Sequence, residues 1–189
     1  MRKVFYTLIA ILFCFNTIAQ EKHLTFKGIP IDGNIHTFAN KLKQQGYKEL
    51  LIDGRIFALT GDFSYLSNCN IYLFPNPSNL NIYKVGVVST EYSNWTDIYN
   101  HFNKLVSALK DKYGFNYIFE EIFINDDQFE LNDISKWNKL INGEAKFRYE
   151  FSTENGSIKI YLNNHGRISI IYFDNINNHA NEIRKKNDL

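Results

Sequence analysis

The chain has 189 residues, 21 Lys and Arg against 20 Asp and Glu, 44% hydrophobic residues and 16% aromatics. That length fits one domain or two small halves, and the apolar share excludes a disordered chain. A net charge of +1 sets up no field to draw in nucleic acid or an anionic membrane, and three prolines and ten glycines exclude collagen-like and linker chains.

Residues 1–19 read as a secretory signal peptide. Arg2 and Lys3 form a basic start, Val4 to Phe15 an uncharged apolar run, and Thr17 and Ala19 the small residues before a cleavage site. The apolar run is about 12 residues, short of the ~20 needed to cross a bilayer. Phe13 before Cys14 does not suit a lipid anchor. The expectation is a periplasmic or secreted protein starting at Gln20, with no transmembrane anchor after cleavage. Loss of Arg2 and Lys3 takes the net charge from +1 to −1, and loss of Cys14 leaves Cys69 alone. With no internal disulfide, the core must hold the fold together. Cys69 lies in an apolar-alternating stretch, which predicts a buried, inert thiol.

Residues 20–91 form the first predicted half. His23 to Ile31 is an extended opening, closed by Pro30 and Asp32-Gly33. Ile35, Phe38, Ala39 and Leu42 have helical spacing, which predicts a helix over 34–45 with Asp32 or Asn34 as cap and Gly46 as stop. Strands follow at Tyr47 to Ile52 and Arg55 to Phe63, across the turn signal Asp53-Gly54, then at Asn70 to Phe74 and Ile82 to Ser89.

The second half, 92–174, repeats that plan. Trp95, Ile98, Tyr99, Phe102, Leu105, Val106 and Leu109 make one helical stripe, with Ser93 as candidate cap and Gly114 as stop. A strand near 116–124, an acidic stretch and a short helix at 134–141 come next. Phe147, Tyr149 and Phe151 then alternate with polar residues, as a half-buried strand does. An Asn155-Gly156 turn would pair Phe151 with Ile160 and Tyr149 with Leu162. A three-residue loop at Asn164-His165-Gly166 pairs Leu162 with Ile168, Ile160 with Ile170 and Ile158 with Tyr172, because a one-residue slip would flip every side chain. Residues 175–189 are a polar tail or short helix. The fold class is therefore α+β: two helix-plus-antiparallel-meander halves, a tandem duplication, with helices on one sheet face.

Motifs for chemistry are lacking. There is no GxSxG, HExxH, phosphate loop, dinucleotide fingerprint or paired-cysteine metal spacing. The histidines at 23, 36, 101, 165 and 179 are scattered singly. The acidic stretch 120–133 (Glu120, Glu121, Asp126, Asp127, Glu130, Asp133) lacks the glycine and ligand spacing of a calcium-binding hand. It reads first as a solvated loop and second as a source of a carboxylate pair for glycan chemistry. Most aromatics lie on apolar stripes; Tyr161 and Trp137 stand outside them. No cofactor and no catalytic or metal-ligating residue is expected.

The segments Ile18-Ala19-Gln20, LTFKGIPIDG, Trp95 through Tyr99 and Leu109 to Lys112-Tyr113-Gly114, and Ile171-Tyr172-Phe173-Asp174 together resemble a group of small secreted or periplasmic proteins of Bacteroidetes, across nearly the whole chain. These motifs are structural, so the resemblance carries over no catalytic residue. The tandem plan is also similar to the fold of β-lactamase-inhibitor proteins. Those inhibitors usually have a disulfide in each half, which this chain cannot form, and that counts against the inhibitor role.

The functional expectation is a non-enzymatic binding or interaction protein of the bacterial envelope, with a protein or glycan partner and no nucleic acid. Its contact surface is the polar face of the last sheet: Arg148, Glu150, Lys159, Tyr161, Arg167 and Ser169, with Glu150, Tyr161 and Ser169 side by side. The alternatives are a glycan-binding or glycan-processing protein using exposed aromatics and the acidic loop, and a hydrolase with a dispersed active site.

Overall fold

A computed structural model describes residues 22–50, 57–124 and 131–178. The signal segment, the Asp53-Gly54 turn, the carboxylates Asp126, Asp127 and Glu130, and the tail from 179 onward lie outside the described residues.

The chain opens with a tight hairpin, β1 (Thr25–Phe26) and β2 (Ile29–Pro30), turned by Lys27 and Gly28 at positive φ. Helix α1 (Ile35–Gln44) follows, capped by Asn34, whose side chain accepts from His36 N. It ends where Gly46 takes φ 95°. Four strands then meander: β3 (Lys48–Leu50), β4 (Phe57–Phe63), β5 (Leu66–Pro75) and β6 (Ile82–Val88). Helix α2 (Trp95–Tyr113) is capped by Asn94, not Ser93. Asn94 alone reaches back, accepting from Asp97 N at 2.9 Å and donating to Asp97 Oδ2 at 2.8 Å. Gly114 stops the helix at φ 78°, ψ −161°, a region essentially closed to other residues. Then come β7 (Tyr117–Phe123), α3 (Asp133–Ile141), β8 (Ala145–Thr153), β9 (Gly156–Asn163) and β10 (Arg167–Asp174).

All the described strands after the opening hairpin join one antiparallel sheet in the order β3-β4-β5-β6-β10-β9-β8-β7. The protein is thus α+β, and its two meanders meet where β6 pairs β10. Period-2 alternation sends Phe147, Tyr149 and Phe151, Ile158, Ile160 and Leu162, Ile168, Ile170 and Tyr172 to one face, where α2, α3 and the hairpin cover them, while α1 packs over β4 and β5. Phe26 closes this core edge-on to Tyr172, with ring centroids 5.3 Å apart. Cys69 is free and buried there, and desolvation pushes its thiol up to about 11. No helix of the described residues is long and apolar enough to cross a membrane.

Two registers were predicted for the last three strands. The β9–β10 pairing is as expected, with Leu162 opposite Ile168, Ile160 opposite Ile170, and Gly166 at φ 60°. The β8–β9 pairing is shifted by two: Phe151 faces Ile158 and Tyr149 faces Ile160. The turn residues are Glu154 and Asn155, and Gly156 begins β9 opposite Thr153. A Cβ on Gly156 would lie 2.0 Å from the carbonyl oxygen of Phe173. That glycine is there for the close approach of β10, not for the turn.

Candidate functional site

The outer sheet face carries the polar half of each strand. One row across it reads Glu120, Arg148, Tyr161, Ser169, Val88; the next reads Ile118, Glu150, Lys159, Ile171, Gly86. Over β7, β8 and β9 this face has an open depression of about 450 Å³, lined by Glu120, Lys146, Arg148, Glu150, Lys159 and Tyr161 among others.

Cross-strand neighbours satisfy the charges. Arg148 Nε lies 2.9 Å from Glu120 Oε2, and Lys146 Nζ lies 3.8 Å from Glu120 Oε1. Lys159 Nζ lies 3.1 Å from Glu150 Oε2. These lining side chains leave one positive charge in surplus. All are part-exposed, so each pair adds at most ~1 kcal/mol to stability and can exchange partners with a ligand. Tyr161 supplies a half-buried ring between Arg148 and Ser169.

Four of the six predicted surface residues meet here: Arg148, Glu150, Lys159 and Tyr161. The other two do not. Ser169 is only 3% exposed, and its hydroxyl accepts from Asn163 Nδ2. Arg167 turns to Glu91, with Nη2 3.3 Å from Oε2, beside the β9–β10 turn. The expected row Glu150, Tyr161, Ser169 becomes Arg148, Tyr161, Ser169, since the two-residue shift moves Arg148 opposite Tyr161.

The acidic residues of 120–133 that are described do not converge. Glu120 faces outward. Glu121 faces inward and accepts from the Tyr149 hydroxyl, whose pKa is raised by burial and then by that carboxylate. Asp133 sits in the first turn of α3 and accepts from Thr96 Oγ1. Among the described residues no group of three His, Cys, Asp or Glu is placed to hold a metal. Trp137 is half-buried against the core and packs over Gly166, so it is no free platform.

Sequence reasoning missed the neighbouring part of the face. Lys84 Nζ lies 3.8 Å from the Phe74 ring centroid and 5.6 Å from that of Phe173, while Lys159 Nζ lies 5.8 Å from Phe173. These cation–π contacts lie beside Gly86, where an added Cβ would just touch the Phe74 ring at 3.4 Å. The alternation of Phe74 with core residues was the available signal, but pairing Phe74 with Lys84 requires the β5–β6 register.

Comparisons with protein-family models, curated proteins and solved structures found no match to this chain.

Proposed function

We propose that this chain is an exported, non-enzymatic binding module of the bacterial envelope whose contact surface is the outer face of β7, β8 and β9. The observation that carries this reading is the depression itself: paired, part-exposed charges around one aromatic ring, on a sheet whose opposite face is packed by helices. Rings and arginines of this kind anchor interfaces. The support for a non-enzymatic role is the lining, where both carboxylates are tied to cations and no histidine, thiol or serine is present. Export rests on the three-part pattern of residues 1–19.

The glycan reading has less behind it, since Tyr161 is one ring and the acidic residues diverge. The test is capture of envelope proteins, with a glycan array in parallel, by the exported protein and by a Tyr161→Ser, Arg148→Glu double variant. Both side chains are solvent-accessible, so stability should move by less than about 1 kcal/mol, while capture should fall at least about tenfold. Undiminished capture would place the contact elsewhere, and array binding alone would favour the glycan reading. Mass spectrometry of the exported form should show Gln20 as the first residue.

A further inference from the structure

β7 is the last strand of the sheet, and among the described residues no strand pairs with its far side. Ser152 N donates to Asn116 O and Ile124 N to Glu144 O, which makes the even-numbered residues of β7 the hydrogen-bonded partners of β8. Backbone groups alternate sides along a strand, so those of Phe119, Glu121 and Phe123 point away from the sheet. Native edges are usually blunted by charges, a proline or a bulge. β7 carries Glu120 and the inward-facing Glu121, but no proline or bulge interrupts it: its register is unbroken over seven residues. Ile118 and Phe119 are 64% and 63% exposed, on opposite faces.

We propose that β7 takes up an extended segment of a partner protein as an added strand, with a basic residue between two apolar ones on its outward side. The proposal deepens the binding-module reading and rests on it. The cross-strand position selects this occupant: of the two carboxylates of β7, Glu121 faces inward and Glu120 alone lies on the outer face, where an acid opposite it would be repelled. On its outer face Glu120 lies between Ile118 and Ile122, which an apolar-basic-apolar alternation matches residue for residue. Glu120 already holds Arg148 and, more loosely, Lys146, but a carboxylate has lone pairs for a further donor. A second copy of this chain fits worse. Aligned antiparallel so that Ile118 meets Ile122, two β7 strands would set their Glu120 carboxylates opposite each other. The edge is continuous with the depression through Glu120, so the outward side chains of the added strand border it.

The probe is a fluorescein-labelled peptide, Ser-Val-Thr-Lys-Thr-Val-Ser, titrated against the exported protein by anisotropy. Saturable binding is expected, weaker for the peptide with Glu in place of Lys. Glu121→Pro removes an outward N–H and no backbone bond to β8, together with the carboxylate that accepts from the Tyr149 hydroxyl, and should weaken binding by about tenfold, or ~1.4 kcal/mol. Glu121→Ala loses the same carboxylate but keeps that N–H, and should bind as the unaltered protein does. No saturable binding, or equal binding by Glu121→Pro, overturns the proposal. So does self-association that Glu121→Pro abolishes, which would make the occupant a second copy. If circular dichroism shows Glu121→Pro unfolded, an Ile118→Lys, Ile122→Lys variant replaces it, and undiminished binding of the lysine peptide overturns the proposal. If the peptide fails while envelope capture still depends on Tyr161 and Arg148, the edge proposal falls alone. If capture does not depend on them either, the binding-module reading falls with it.

Discussion

β10 and β7 are both rich in apolar and aromatic residues, and they sit in opposite situations. β10 lies between β9 and β6, and Ile168, Ile170 and Tyr172 are buried. Its ends are locked: Ile168 N donates to Ser89 Oγ at one, and at the other the buried Asp174 carboxylate accepts from Leu24 N and Asn177 N and contacts His23 Nδ1 at 3.1 Å. β7 has one neighbour, and of its residues only Phe123 is buried. Apolar composition is similar in the two, so place in the strand order decides which apolar residues become core. The centre of the sheet buries its apolar residues, and the edge leaves them exposed.

The largest way to break this contrast is at the centre. Asp174→Ala strips the acceptor from two backbone N–H groups and from His23, and should cost on the order of 3 kcal/mol, read as a lower urea midpoint with an unchanged slope. Gly166→Ala comes next. Its Cβ would meet Trp137 Cη2 at 2.7 Å at a φ of 60°, so a loss of about 2 kcal/mol is expected. A calorimetric melting temperature within a degree of the parent would show that the turn relaxes. Gly114→Ala, at the junction leading into β7, should cost about 1–2 kcal/mol through backbone strain alone, since nothing lies within 4 Å of its added Cβ. A change of the same size in Gly46→Ala, which also has positive φ and open space, would confirm strain as the cause. The smallest effect belongs to the edge. Ile118→Lys with Ile122→Lys should shift stability by less than ~0.5 kcal/mol per site. A loss as large as that of Asp174→Ala would show that β7 is covered.

The central hairpin was readable in the sequence because its pattern excludes alternatives. Leu162, Ile168 and Ile170 cannot face inward together if β9 and β10 slip by one residue, and Gly166 marks the turn. β8 and β9 lacked that protection. A slip of two leaves every side chain on its face, so alternation is blind to it, and the glycine of Asn155-Gly156 pointed to the wrong turn. The same slip separated the predicted surface: Arg148, Glu150, Lys159 and Tyr161 stayed on one face, but the neighbours changed. Ser169 has the residue type of a solvated face, yet it is buried beside Val88 and under the Asn163 side chain.

Local chemistry therefore determined the helices, their ends, the alternation of the strands and the burial of Cys69. Each of these follows from periodicity or from a residue whose backbone preference needs no distant partner. Tertiary structure alone decided the rest: that β6 and β10 join two meanders into one sheet, that Gly156 yields to the Phe173 carbonyl, and that β7 is left at an edge. Those outcomes depend on which strands become neighbours. Strand order is set by packing between residues far apart in the chain, which no local pattern encodes.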